Sequence, residues 1–113
     1  MQIRINSDHH ISASPQLASR VQGLVRDTLD RYSDRITTVE VHLGDLNSGK
    51  HGANDKRCTM EARIGGVGPI AVNHEAESLD FAIDGAMEKL ERAIEHKLGK
   101  LAMTASGRRS GKG

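Results

Sequence analysis

The chain has 113 residues, 36% hydrophobic and 2% aromatic, enough for one domain around one aliphatic core. Sixteen lysines and arginines against fifteen aspartates and glutamates leave +1, and Gly99–Gly113 carries four of the basic residues and no acid, so a polyanionic partner must be met by local patches rather than bulk charge. The single cysteine, Cys58, excludes an internal disulfide, no apolar run could span a membrane, and MQIRINSDHH has no apolar signal segment, so a soluble cytoplasmic protein is expected.

Met1–Asn6 alternates, with Ile3 and Ile5 on one face, and predicts a short strand. Ser12 or Ser14 can cap a helix with Pro15 in its first turn. Leu17, Val21, Leu24, Val25, Leu29 and Tyr32 follow at helical spacing, and the helix is expected to end near Asp34. Thr38–Leu43 alternates again, with Val39, Val41 and Leu43 inward. Gly44–Asp55 reads as a polar, glycine-rich loop. Lys56–Ile64 is the clearest strand, with Cys58, Met60, Ala62 and Ile64 inward. A glycine-rich turn leads to a strand over Pro69–Glu75. The core is aliphatic, with Phe81 and Tyr32 as its only large rings.

Leu79–Leu101 reads as one helix with three stripes. At about 100° per residue, Leu79, Ile83, Ala86, Leu90, Ile94 and Leu101 form the core face. Asp80, Asp84, Glu88, Glu91 and Glu95 fall on one flank; Lys89, Arg92, His96 and Lys100 fall on the other. Surface helices usually mix their signs, because alternation relieves self-repulsion. The basic ridge is about 16 Å long at a rise of about 1.5 Å per residue, long enough to follow a phosphate backbone. A solvated face with fortuitously segregated charge is the plainer alternative.

The β-α-β-β-β-α order predicts a two-layer α+β fold, a four-stranded sheet with two helices packed on one face. The folded domain is expected over residues 1–101, with a disordered basic tail over 102–113. The opposite sheet face is expected to be open and polar, carrying Arg4, Glu40, His42, Arg57, Glu61, Arg63 and Asn73. No aromatic ring stands there to stack a base, which argues against single-strand binding of the RRM kind.

Other motifs fall short of a site. Gly44–His51 nearly matches a P-loop, but His51 replaces the required hydroxyl and a strand follows. Asp45, Asn47 and Gly49 begin like a calcium loop, but Lys56 stands where a bidentate glutamate is needed. His9 and His10 are adjacent, which points the rings apart, and no zinc spacing accompanies them. Cys58 reads as a buried inert thiol. Asp80 and Asp84 suit a helix N-terminus by the dipole alone. No catalytic residues, metal ligands, cofactor or small-molecule substrate are expected.

The element order, the start MQIRIN and the helix string A-I-D-G-A-x-x-K-L-x-R (Ala82–Arg92) resemble the bacterial ribosome hibernation-promoting factors, short form. These are also called ribosome-associated translation inhibitors or sigma-54 modulation proteins. The strand segment D-K-R-C-T-M-E-A-R (Asp55–Arg63) is similar to a subgroup of that family. The resemblance covers about residues 1–101. It implies a non-enzymatic factor that binds the small ribosomal subunit, through 16S rRNA, in the channel used by mRNA and tRNA. There it would block translation under stress. Carried over by position, Lys89, Arg92, Lys97 and Lys100 match basic or near-basic family positions, and Arg20, Arg31 and Arg35 are counterparts on the first helix. With His96 from the basic ridge, these form the expected rRNA-binding set.

Three departures lower the expected ribosome affinity. His96 is only partly charged at neutral pH, Glu91 and Glu95 stand where the family is often neutral, and the loop Leu46–Asn54 is longer. Lys50, His51 and Lys56 of that loop, and Arg108, Arg109 and Lys112 of the tail, offer compensating charge. The chain is expected to lack the C-terminal domain by which long members pair ribosomes, so dimerisation would need a second protein. The rival reading is a protein-interaction module, a transcription or stress regulator, whose acidic stripe (Asp84, Glu88, Glu91, Glu95) meets a basic partner. A weaker one is nucleotide binding by Gly44–Lys56.

Overall fold

The computed structural model describes residues 1–8, 11, 14–46 and 55–110, without the side chains of 101–110. The elements are β1 (Gln2–Ser7), α1 (Pro15–Thr28), a 3-10 turn (Asp30–Tyr32), β2 (Ile36–Asp45), β3 (Lys56–Ile64), β4 (Gly68–Ala76) and α2 (Leu79–Ser110). Sheet order follows chain order, β1-β2-β3-β4. β1 runs parallel to β2, and β2, β3 and β4 form an antiparallel meander. The result is the expected four-stranded α+β fold with two helices. His9, His10 and most of the glycine-rich loop, including Lys50 and His51, lie outside the described residues. So do the side chains of the tail.

Alternation along the strands divides the sheet into two faces. The register aligns Ile3, Val39, Ala62 and Ile70 in one row and Ile5, Val41, Met60 and Val72 in the next. These rows face the helices and join Val21, Val25 and Leu29 from α1 with Ala82, Ile83, Ala86, Met87, Leu90 and Ile94 from α2. The opposite face is polar as expected, and its charges pair across strands: Arg4 with Glu40 at 3.8 Å, and Arg57 with Glu75.

Local chemistry sets the element ends. Ser14 caps α1 by accepting the Leu17 N–H at 3.1 Å, with Pro15 opening the helix. Ser78 accepts the Phe81 N–H at 3.1 Å and starts α2. The β3–β4 turn needs Gly66 and Gly68, at φ +79° and +101°, conformations costly for other residues. α1 stops at Thr28, and the turn Asp30–Tyr32 occupies the stretch expected to remain helical. At the base of the glycine-rich loop, the Leu46 N–H donates to the Asp55 carbonyl at 2.7 Å. Lys56 bridges Asp55 and Asp45 there, and the hydrogen bond its ammonium donates to Asp55 leads the causes that raise its pKa.

Phe81 corrects the expectation of a ring in the core. It is 58% exposed, because Ala82 and Ile83 take the inward positions of that turn and Met87 fills the layer below. Cys58 is fully buried, and desolvation pushes its thiol up to about 12. Both features suppress the thiolate. A disulfide reagent at mildly alkaline pH should leave native Cys58 unmodified and react fully once denaturant is added; rapid native labelling would contradict this packing.

Candidate nucleic-acid interface

α2 lies over β3 and β4, and α1 lies beside it over β1. That arrangement gives the two charged flanks of α2 different neighbours. The acidic flank faces α1, where Arg20 pairs with Asp80 and Arg31 lies 3.6 Å from Glu91 and 3.4 Å from Glu95. The Arg31 guanidinium also stands over the Tyr32 ring, 4.8 Å from its centroid. Exposed pairs of this kind are worth at most about 1 kcal/mol each. Their local balance still matters: Arg31 meets two carboxylates, and Asp84 lies one turn from Asp80. A phosphate approaching that groove meets net negative charge.

The basic flank points the other way, along the β4 edge. Lys89 donates to the Asn73 carbonyl at 3.0 Å, covering part of the edge strand. Arg92 makes an i,i+4 pair with Glu88 at 3.4 Å, with both side chains well exposed. Such a pair contributes about 0.3–0.5 kcal/mol, too little to hold Arg92 against a multivalent anion. His96, Lys97 and Lys100 are also exposed.

Lys97 falls outside the basic stripe, and its placement explains why it is nevertheless exposed. It stands seven residues after Leu90, on the core-facing side by helical angle. Leu90 is fully buried, whereas Lys97 is exposed. The last fully buried residue of α2 among those described is Ile94, with Leu98 partly covered. Beyond that point the helix runs past the sheet, and a position that would be core becomes surface. The overhang adds Lys97 to the display of Lys89, Arg92, His96 and Lys100.

The expected residues therefore divide. Lys89, Arg92, His96, Lys97 and Lys100 are all exposed on α2, with Lys89 seated beside β4 and the others following toward the C-terminal end. Arg20 and Arg31 stand across the helix, on its acidic side. Arg35 is exposed at the entry to β2, where its carbonyl accepts the Gly65 N–H at 3.1 Å. Lys56, weighed as a loop contact, is engaged by Asp45 and Asp55. Among the described residues no group of three or more His, Cys, Asp or Glu could hold a metal ion. Among the described residues no helix is long and apolar enough to cross a membrane.

The model of the family described as sigma 54 modulation protein / S30EA ribosomal protein matches residues 3–102. The chain belongs to this family. Its members are non-enzymatic, ribosome-associated factors. This S30EA-family chain is similar in fold to two solved structures. One is the N-terminal domain of Protein Y from Thermus thermophilus, 24% identical, covering 85% of this chain and 98% of that one with a TM-score of 0.68. The other is a ribosomal subunit interface protein from Coxiella burnetii, 20% identical, covering 88% and 99% with a TM-score of 0.65. No curated protein sequence matches this S30EA-family chain.

Proposed function

We propose that this protein binds the small ribosomal subunit in the mRNA–tRNA channel, contacts 16S rRNA there, and blocks translation under stress in the cytoplasm. Family membership supports the ribosome as partner. The observation that carries the rRNA reading is the display of Lys89, Arg92, His96 and Lys100 on the flank of α2 turned away from α1, with Lys97 exposed next to them on the side that faces the core earlier in the helix. Phosphates supply the affinity by releasing counterions as these cations neutralise them. The mechanism is steric: the domain occupies space that mRNA and the anticodon ends of tRNA need. Arg20 and Arg31 serve mainly to hold α1 against α2, and Arg35 is a peripheral contact. Pairing of ribosomes would require a second protein.

The rival reading, a protein-interaction surface on the acidic flank, is weakened by the engagement of Asp80 with Arg20 of α1 and of Glu91 and Glu95 with Arg31 of the 3-10 turn that follows it. Cosedimentation with purified 30S subunits across a salt series tests the proposal. If Lys89, Arg92, Lys97 and Lys100 each neutralise one phosphate, log affinity should fall against log salt with a slope of about −3. The same preparation should inhibit translation of a reporter mRNA in a purified system. Absence from 30S subunits even at low salt would defeat the proposal.

A further inference from the structure

β4 grips α2 through two successive residues. The Asn73 carbonyl takes Lys89, and the His74 side chain, half-buried on the helix-facing side of the sheet, lies against Gly85. A Cβ added at Gly85 would stand 2.1 Å from His74 Cδ2 and 2.4 Å from both Cγ and Nε2. Those distances are far inside van der Waals contact, and three ring atoms meet the missing side chain at once. An imidazole is stiff, with two torsions and no flexible end to withdraw. Beside it, on β3, the strand register places buried Cys58. The ring therefore fills a gap that only glycine leaves.

The gap also lies in line with the cations. Gly85, Lys89, Arg92 and His96 follow at spacings of 4, 3 and 4, one stripe of a helix. Gly85 is the first position of that stripe, and Lys89 stands one turn beyond it. We infer that His74 and Gly85 form a matched pair that fixes the roll of α2 about its axis and so aims the cationic stripe. His74 is thus a positioning residue, and the inference rests on the rRNA-binding reading above. A roll of about 20° would carry an ammonium roughly 8 Å from the helix axis through about 3 Å, enough to break a phosphate contact.

Four proteins test the pair: the native chain, Gly85→Ala, His74→Ala and the double variant. Alanine is the better helix former, so an unobstructed Gly85→Ala change should raise Tm. With His74 present the clash should reverse that sign and lower Tm; in the His74→Ala background the same change should raise it. Residual dipolar couplings should report a changed orientation of α2 against the sheet in Gly85→Ala alone. Affinity for 30S subunits should drop about tenfold in Gly85→Ala, with a shallower salt slope, and recover in the double variant. A rise in Tm in both backgrounds, or an unchanged α2 orientation, would overturn the pairing whether or not ribosomes bind. A reversed Tm sign with unaltered 30S affinity would overturn the positioning role and leave packing only. Native protein that fails to bind 30S, with the Tm sign still reversed, would count against the rRNA reading and not against the pair.

Discussion

Reversing both Lys89 and Arg92 to glutamate should abolish ribosome association at physiological salt, leave only weak binding at low salt, and keep the fold intact. Both side chains are exposed; Lys89 loses its hydrogen bond to the Asn73 carbonyl and Arg92 a weak helix-surface pair with Glu88, so the stability cost is about 1 kcal/mol for the first and about 0.5 kcal/mol for the second. The cost to binding is much larger. Two phosphate contacts disappear and two repulsive charges face the same backbone. The salt slope should become shallower by about two, and affinity at low salt should drop by at least about 100-fold. Glu88→Lys with Glu91→Lys should act in the opposite sense and strengthen binding, since the first adds a cation beside Arg92 and the second replaces an acid on the side facing α1. If the acidic flank were the working surface, the two effects would exchange. Circular dichroism and thermal melting of each variant separate a binding defect from unfolding.

Leu90→Ala should be the most damaging single truncation in α2. Leu90 is fully buried in the middle of the cluster that joins the helix to the sheet. Removing most of a buried leucine costs lost transfer energy and leaves a cavity, about 3 kcal/mol together. For a domain of this size that corresponds to a fall in Tm of roughly 10 °C. Phe81→Ala on the same helix removes a larger side chain, but Phe81 is 58% exposed. Its loss should change stability by no more than about 0.5 kcal/mol. Equal effects at the two positions would mean that α2 seats differently on the sheet.

Much of this architecture could be read from the chain because the strands are amphipathic in a strict two-residue rhythm. Cys58, Met60, Ala62 and Ile64 alternate with polar residues without a break, and the resulting β3, Lys56–Ile64, has the expected bounds. The three-stripe pattern of α2 likewise translated into a core face and two charged flanks. Periodicity fails where a distant element decides the outcome. Lys97 keeps the angle of a core residue, and only the end of the sheet makes it surface. Phe81 is apolar, yet the turn already has Ala82 and Ile83 pointing inward.

The division of the site residues was not legible for the same reason. Arg20 and Asp80 are 60 residues apart, and Arg31 and Glu95 are 64 apart. No spacing rule connects them; the packing of α1 beside α2 does. The fit of His74 to Gly85 also depends on two separate elements. Within the sequence, Gly85 reads only as a weak point in a helix, with a propensity cost near 1 kcal/mol. The stripe from Lys89 to His96 was visible because all its members lie on one helix.

The central claim is that the outer flank of α2 faces 16S rRNA in the mRNA–tRNA channel, and directed hydroxyl-radical probing tests it most directly. Native Cys58 is buried and its thiolate suppressed, so a Glu88→Cys variant would carry an iron chelate at one exposed site beside Arg92. With the labelled protein bound to 30S subunits, strand cleavage should cluster in the 16S rRNA segments that line the channel. Cleavage confined to the solvent side of the subunit, or none from a protein that remains bound, would contradict the account.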